Sequence, residues 1–357
     1  VLQICHVLRY TEFYRRIHEM IQPGRLGQVI TIAHRENVSS WHMAHSYVRG
    51  NWRSAGLSSP MILAKSCHDL DILCWLVGSR PSTVSSVGSL RHFRPENAPE
   101  GAPPRCTDGC PAAEACPFYA PLFYSDLEPM LRALTHARGL PYRVGAWLAL
   151  HQPGLLRALA AVTPPLRRIT EYDGWPRSVI TGWPADPEAV RQALREGPYG
   201  RCVYHCDNDV VDHQVVALEF GNGVSASHTM HGHSHDEGRT LRIDGSRATL
   251  LAELTWSRTL IEIHEHRGGR IERTVMPTIL EQGGHGGGDQ GLMRAFVSSL
   301  RGDGNQPVLT SASESLESHL LAFAAEEARL AHTVIHMADF RARAEQAGVA
   351  YLGHLKG

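Results

Sequence analysis

The chain has 357 residues, of which 43% are hydrophobic and 20% are charged, and its formal net charge is −1 at pH 7. This length leaves room for two globular domains, and the balanced charge provides no broad basic surface for nucleic acid or anionic lipid. No apolar run approaches the roughly 20 residues that a membrane-spanning helix needs. We therefore expect a globular protein that binds neither nucleic acid nor membrane.

The first residues of the chain have the pattern of a domain interior. Residues 1–7 alternate and are prone to β-structure, so they predict a strand. A helix over residues 11–21 and a strand over residues 28–33 would complete a unit of the size of a βαβ crossover. The start lacks both an initiator methionine and the charged flank of a signal peptide. We therefore expect an N-terminally truncated, cytoplasmic protein, in which the eight cysteines stay reduced.

Residues 64–78 carry the pattern with the clearest chemical meaning. Apolar side chains recur at helical spacing as far as Gly78, so the run predicts an amphipathic helix. Lys65 and His68 stand three residues apart at its start, on one face, where a helix N-terminus lowers the pKa of a basic group. Such a pair suits proton transfer near neutral pH, so both are our catalytic candidates. The alternative is structural, with His68 buried in the core and Lys65 solvated.

Two further segments offer candidate substrate contacts. The polar and aromatic segment after residue 33 resembles a loop that lines a ligand, although a surface loop with chance aromatic residues is the alternative. Its candidates are Trp41, His45, Arg49 and Trp52. A glycine-rich run then holds His285 and Asp289, where glycines let the backbone approach a ligand and Asp289 is a natural N-cap for the following helix. A flexible linker is the alternative there.

Three cysteines form a candidate metal site in a region rich in proline and glycine. Cys106, Cys110 and Cys116 have the density of a structural zinc knuckle, but the spacing is not the usual CxxC pair and the fourth ligand is unidentified. We predict structural zinc at these thiols, with plain burial as the alternative. The cysteines open an insertion over about residues 95–175, whose part from 130 to 161 predicts helices broken by prolines.

The remainder of the chain predicts a β-meander. Hairpins over residues 215–230, 241–252 and 260–276 are indicated by glycine-rich turns between alternating segments. We therefore expect an α+β domain over residues 28–312, with an open, mostly antiparallel sheet and helices on one face, followed by a C-terminal helix over residues 313–357. Histidines on one strand also suggest a weaker metal site. They are His228, His231, His233 and His235, of which the last three alternate along the strand and so point to one side.

Together these residues resemble the Gfo/Idh/MocA family of NAD(P)-dependent sugar and cyclitol oxidoreductases. Residues 21–29 resemble the junction between the Rossmann domain and the substrate domain of this family. His68 and Asp71 match the family pattern D-x-G-x-H-x-x-D at its histidine and its final aspartate. Ala64 replaces the first aspartate of the pattern, so Lys65 is the candidate to take over its role. The family's G-x-G-x-x-G segment and its E-K-P lysine do not occur in this sequence.

The resemblance implies hydride transfer between NAD or NADP and a hydroxyl or carbonyl group of a sugar or cyclitol. Residues 1–27 would be the last βα unit of a Rossmann domain, with cofactor contacts at Arg9 and Tyr10 and a substrate contact at Asp71. The chain by itself would be inactive, and the protein would form a homo-oligomer through the open sheet. An NAD-dependent glycosidase of the same fold, a zinc-dependent hydrolase that uses the histidine-rich strand, and a non-catalytic scaffold are the alternatives.

Overall fold

A nine-stranded sheet forms the centre of the computed structural model, which describes residues 2–21, 24–136, 139–302 and 308–354. Its order is β8-β7-β6-β5-β1-β4-β3-β2-β9. β1 and β4 pair in parallel, and the other neighbouring strands pair antiparallel. The predicted open, mostly antiparallel sheet and its three hairpins are therefore confirmed. The strands are β1 Val29–Ser39, β2 Pro81–Ser89, β3 His213–Phe220, β4 Ser225–Ser234, β5 Gly238–Gly245, β6 Ala248–Thr255, β7 Thr259–Glu265, β8 Ile271–Val275 and β9 Ile335–His336.

Helices cover one face of this sheet and fill the insertion. A π-helix over Met43–Arg49 follows β1, and tighter 3-10 turns include Val7–Tyr10 and His285–Gly287. None of the described helices is long and apolar enough to cross a membrane. The α-helices are α1 Glu12–Ile21, α2 Ser40–His42, α3 Met61–Ala64, α4 Cys67–Val77, α5 Ala120–Tyr124, α6 Glu128–Leu134, α7 Leu140–His151, α8 Pro153–Val162, α9 Pro164–Thr170, α10 Arg177–Thr181, α11 Pro187–Glu196, α12 Ile279–Gln282, α13 Gly288–Arg301, α14 Ala312–Ala331 and α15 Met337–His354.

The main core lies between the sheet and helices α1, α4 and α14. Successive side chains of a strand point to opposite faces, so alternate residues of β1, such as Ile32, lie in this core. Leu73 of α4 and Leu321 of α14 are also fully buried in it. The same alternation carries the charged side chains of Glu36 on β1 and Arg239 on β5 to the helix-covered face, where both are buried.

The opposite face of the sheet bears exposed apolar side chains. Val87 of β2 and Val215 of β3 are cross-strand neighbours, 64% and 40% exposed, and Val334 near β9 is 55% exposed. These residues line a shallow depression together. Contiguous apolar surface of this kind is typical of interaction sites.

The homo-oligomer that we predict through this face can be tested at Val215. We expect light scattering to give a mass of two or more chains for the wild type, and a monomer mass for Val215→Glu, because a buried unpaired carboxylate opposes association. Glu219→Gln, on the same strand and also exposed, is the control and should keep the wild-type mass. A monomeric wild type would contradict the prediction.

The N-terminal segment departs from the predicted strand. Residues 2–6 form no strand, and Ile4 instead exchanges hydrogen bonds with Thr310, at 2.9 Å through its amide and 2.7 Å through its carbonyl. The apolar residues at the end of this segment contribute to the core instead, since Val7 and Leu8 are buried in the following 3-10 turn. The predicted helix over residues 11–21 is confirmed as α1, but no βαβ crossover is formed in the described residues.

Two other predictions concern helices. Pro141 lies in the first turn of α7 and Pro153 begins α8, so prolines separate the helices of the insertion as expected, because a proline is tolerated at a helix start.

The prediction of a single C-terminal helix is wrong. His332 adopts a left-handed conformation, φ 53°, which ends α14, and β9 then pairs with β2 before α15 begins.

Candidate active site

Lys65 lies before helix α4 rather than on it. Helix α3 ends at Ala64, the amide of Lys65 caps it by donating to Met61 O at 2.9 Å, and α4 begins at Cys67. The predicted helical face shared by Lys65 and His68 is therefore wrong. The break places Lys65 against the end of β1 instead, where two carboxylates surround its amino group.

Five charged side chains form one buried ion-pair network, namely Glu36, Lys65, Asp69, Glu237 and Arg239. Lys65 Nζ lies 3.1 Å from Glu36 Oε1 and 3.0 Å from Glu237 Oε1. Arg239 extends the chain of contacts, at 2.8 Å from Glu36 and 2.7 Å from Asp69. Every side chain in the network is at most 13% exposed. Three carboxyl groups therefore face two cations in a site with little water.

The network decides the protonation of its members. Burial lowers the pKa of Lys65, but Glu237 and Glu36 raise it more, so the net pKa lies above its ordinary value. This direction is opposite to the sequence prediction, and Lys65 is charged at neutral pH. Burial raises the pKa of Glu36 to about 7, against the opposing pull of Arg239 and Lys65. Glu36 is thus the acid of the network that can take up a proton near neutral pH, which would leave two carboxylates facing the two cations.

The carboxylate of Glu237 is held from two sides. Its Oε2 accepts hydrogen bonds from the amide and hydroxyl of Ser39, both at 2.7 Å. Its Oε1 lies 2.8 Å from His42 Nδ1 and 3.0 Å from Lys65 Nζ. Burial opposes ionisation of Glu237, but His42 and Lys65 outweigh it and hold the pKa of Glu237 well below its usual range. Glu237 therefore fixes the position of the lysine.

His68 lies beside the network in a group of histidine rings. Its centroid is 5.7 Å from that of His6 and 5.8 Å from that of His285. Burial, and then the positive charge of Arg239, lower the pKa of His68 to about 3. His68 Nδ1 is buried and has no hydrogen-bond partner within the described chain. The side chain is thus a neutral imidazole with an unused nitrogen, which is able to accept a proton or a hydrogen bond.

The glycine-rich run places two of the predicted substrate contacts, His285 and Asp289, next to His68. His285 Nδ1 lies 2.9 Å from Asp289 Oδ1, so the carboxylate orients the imidazole that packs on His68. Asp289 is not the N-cap of α13, as we had expected. The cap is Gly287, whose φ of 83° suits glycine, and Asp289 lies in the first turn.

Asp71, Arg9 and Tyr10 have structural partners. Arg9 binds both oxygens of Asp71 at 2.7 Å, and Asp71 is 1% exposed. The Tyr10 hydroxyl accepts a hydrogen bond from the amide of Leu309 at 2.8 Å and lies 3.2 Å from the hydroxyl of Thr310. These side chains are committed to holding the N-terminal segment. They do not fit a cofactor contact at Arg9 and Tyr10 or a substrate contact at Asp71.

The four candidates of the segment after β1 separate in the structure. Trp41 begins a helical region, not a loop, and lines a cavity beside Glu237. His45 and Arg49 are 3% and 2% exposed, with His45 bound to Tyr124 and Arg49 donating to two backbone carbonyls. Trp52 is 45% exposed beyond the π-helix. Arg49 also lines this cavity but is occupied by backbone carbonyls, so of the four Trp41 is the candidate ligand contact.

The described residues hold no group of three or more His, Cys, Asp or Glu side chains arranged to bind a metal ion. Cys106, Cys110 and Cys116 do come together around a cavity of about 10 Å³, with Cys202 as a fourth thiol. The predicted zinc thus gains no support from the geometry. The described part of the histidine-rich strand brings no such group together either. His231 lies near Asn37 and His233 stacks on Phe93, whereas His235 lies beyond the end of β4 and lines the cavity beside Trp41.

Sequence reasoning missed Glu237, Arg239 and His42. One signal was present in the sequence. Arg239, Leu241 and Ile243 are spaced two residues apart, so on a strand the arginine shares the core-facing side with the two apolar residues. A buried arginine requires hydrogen-bond acceptors, often carboxylates, nearby. Which carboxylates it meets depends on the pairing of β5 with β1, and that was not readable from local sequence.

Comparison with known proteins agrees with this fold. Residues 18–139 match a family described as "Oxidoreductase family, C-terminal alpha/beta domain", the Gfo/Idh/MocA family. YteT of Bacillus subtilis (strain 168), which carries the name of an oxidoreductase, is 30% identical over 115 residues, which are 31% of this chain and 27% of YteT.

Several solved structures share the fold. An oxidoreductase from Agrobacterium radiobacter in complex with NAD⁺, L-tartaric acid and magnesium matches with a TM-score of 0.52 and 10% identity, over 95% of this chain. Levoglucosan dehydrogenase, in complex with NADH and levoglucosan, matches with 0.51 and 12% over 93%. Gal80p of Saccharomyces cerevisiae, a super-repressor mutant, matches with 0.52 and 12% over 95%.

The chain spans 65% of the length of each of these three solved structures. At 10% to 12% identity they show a common fold and no more. The family match, the open sheet and the helix that carries His68 agree with one another. Residues 18–139 of this chain are therefore similar to the C-terminal α/β domain of the Gfo/Idh/MocA family of oxidoreductases.

Proposed function

We propose that this chain supplies the substrate-binding and proton-transfer part of an NAD(P)-dependent oxidoreductase that acts on a hydroxyl group of a sugar or cyclitol. The observation that supports it most is the neutral imidazole of His68, whose buried Nδ1 is unused, next to the Arg239 and Asp69 end of the network that also holds Lys65 between two carboxylates. A nicotinamide bound next to His68 would exchange the hydride, a reaction that protein side chains cannot perform. The contacts to its dinucleotide would come from residues other than Arg9 and Tyr10.

In this proposal His68 receives the proton of the substrate hydroxyl. A general base has to be unprotonated at working pH, as His68 is, and its pKa of about 3 has to rise towards that pH in the substrate complex for the transfer to be efficient. The His285–Asp289 pair borders His68 and would accept the proton next or orient the substrate. Asp71 is occupied by Arg9 and has no part in the transfer.

Lys65 has a different part, since its raised pKa makes it a poor base. An ammonium group has three N–H donors, and Glu36 and Glu237 engage two of them. The third would bind the substrate oxygen and stabilise negative charge that develops on it as the proton leaves. Lys65 is thus an electrostatic partner of the reaction, and Glu36 and Glu237 are positioning residues.

His68→Asn tests this assignment in the whole protein. Asparagine keeps a hydrogen-bonding group but cannot take the proton, so we expect kcat to fall by about 10² to 10⁴, with a smaller change in KM and with the fold retained. Single-turnover NADH absorbance measures the hydride step directly. Cys67→Ser is the matched control, one residue away, and should stay close to wild type. A near-normal rate for His68→Asn would reject His68 as the proton acceptor.

A further inference from the structure

A cavity of about 480 Å³ lies beside the ion-pair network, on the side of the helical insertion. Its walls come from the start of α2 and the π-helix, from the turns before β5 and β7, and from residues 117–136 of the insertion. Cavities of this size hold ligands of drug-like size. Glu237 lines the cavity, and its carboxylate binds Lys65. A ligand in the cavity would therefore lie one side chain away from the candidate active site.

One side of the cavity is aromatic. Trp41 and Trp256 line it, with their ring centroids 4.9 Å apart, and Phe123 packs on Trp41 at 5.1 Å. Trp41 is 8% exposed, so the surrounding side chains hold its ring in place, whereas Trp256 is only partly buried and has more surface available to a ligand. A rigid aromatic surface of this kind packs against the C–H face of a pyranose ring. It also costs little conformational entropy when a ligand binds.

The polar side of the cavity favours hydroxyl groups over carboxylates. Glu128, Asp236 and Glu237 place three carboxylates in its lining. Two arginines face them but are already engaged, since Arg132 pairs with Glu128 at 2.6 Å and Arg49 donates to backbone carbonyls at 2.7 Å. Two histidines, His136 and His235, complete the polar lining. Glu128 and Glu237 are paired with Arg132 and Lys65, whereas Asp236 accepts from the hydroxyl of Ser257 and has no cation in contact among the described residues. An acidic ligand would therefore meet the negative charge of Asp236, whereas sugar hydroxyls could donate to it.

We propose that this cavity is a second sugar subsite for a neutral glycosyl ring, so that the substrate is a disaccharide or a larger glycoside. This inference rests on the proposed function, because it extends the same substrate from His68 towards the insertion. The first ring lies at His68 and Lys65, and the second ring stacks on Trp256. Residues of the insertion, such as Glu128 on α6, form the outer wall of the subsite. This wall would set how many sugar rings the substrate can have.

Isothermal titration calorimetry of this chain without cofactor tests the subsite separately from hydride transfer. The probes are glucose, galactose and a set of neutral disaccharides of these two sugars in α and β linkage. We expect at least one disaccharide to bind at least about tenfold more tightly than either monosaccharide. Trp256→Ala should weaken that binding by about tenfold, because aromatic contacts contribute energies of this order.

Two variants serve as controls. Trp147→Ala removes a ring that is 51% exposed on α7 and does not line the cavity, so binding should stay unchanged. Trp256→Phe keeps an aromatic surface and should keep most of the binding, with an unchanged circular dichroism spectrum.

Three results would overturn the proposal: no disaccharide of the set binds more tightly than the monosaccharides, Trp256→Ala binds like the wild type, or acidic digalacturonate binds more tightly than the neutral disaccharides. Disaccharide binding together with a failure of hydride transfer in the whole protein would reject the proposed function and leave the subsite standing.

Discussion

Arg239→Met is expected to lower the free energy of unfolding by about 3–5 kcal/mol, because it removes one partner of a buried ion-pair network. Arg239 lies 2.7 Å from Asp69 and 2.8 Å from Glu36, and the side chains of both acids are fully buried. Without the guanidinium, Asp69 would keep a buried charge beside the His34 ring, which lies 3.7 Å away and is neutral near pH 7. Glu36 loses less, since its pKa of about 7 lets it take up a proton instead. Urea denaturation followed by circular dichroism measures the effect.

The neighbouring arginine on the same strand provides the control. Arg242 points to the open face, is 56% exposed and pairs with Asp244 at 2.7 Å. Exposed ion pairs contribute about 1 kcal/mol or less, so Arg242→Met should change stability only slightly. Arg239→Lys should recover part of the loss, since it restores the charge without the fork of donors. Equal stabilities of Arg239→Met and Arg242→Met would contradict a structural role for the network.

The parts of this fold that depend on residues close together in the sequence could be predicted. The hairpins follow from glycine turns between alternating segments, and α4 follows from apolar residues at helical spacing ended by Gly78, whose φ is 63°. The structure places His285 and Asp289 next to His68, and their predicted roles as site residues stay predictions. These signals are local, or rest on a resemblance that already includes the tertiary arrangement.

The protonation of Lys65 could not be predicted in the same way. Its charge is set by Glu36 and Glu237, and Glu237 is 172 residues away along the chain. Reasoning from the helix alone considered the dipole and the neighbouring histidine, and both favour a neutral amine. Two carboxylates at about 3 Å outweigh those effects, and their presence depends on how β1 and β5 pair. For the same reason, the N-terminal segment formed a tether to Thr310 instead of a strand.

Acidification is expected to unfold the protein well above the pH at which carboxylates titrate. Burial lowers the pKa of several histidines, and four of them are lowered far: His6 to about 4, and His34, His45 and His68 to about 3. In the unfolded chain each has a pKa of about 6.5, so below that pH the unfolded state binds protons that the fold excludes. The stability that these neutral histidines permit is present above pH 6.5 and is lost as the pH falls towards 4.

Glu36 acts in the opposite direction and sets the net slope. Its pKa of about 7 is above the ordinary value, so between about pH 4.5 and 7 the folded state binds one proton more than the unfolded state at this group. For these five groups alone, four histidines against one carboxyl leave about three protons, and each changes stability by about 1.4 kcal/mol per pH unit. We therefore expect a loss of about 4 kcal/mol for each unit between pH 6 and 5, seen as a steep fall in Tm.

A single substitution separates this cause from a general effect of acid. His45 Nδ1 lies 2.7 Å from the hydroxyl of Tyr124, and glutamine at this position can keep a hydrogen bond without titrating. His45→Gln should thus reduce the pH dependence by about one proton, or roughly 1.4 kcal/mol per pH unit, whatever its effect on stability at pH 8. His151→Gln, at an exposed site on α7, should leave the slope unchanged. Calorimetric Tm values from pH 8 to 4.5 give the comparison. If Tm stays level between pH 7 and 5 in the wild type, the buried histidines are not held neutral by the fold, and the basis for His68 as a proton acceptor is removed with them.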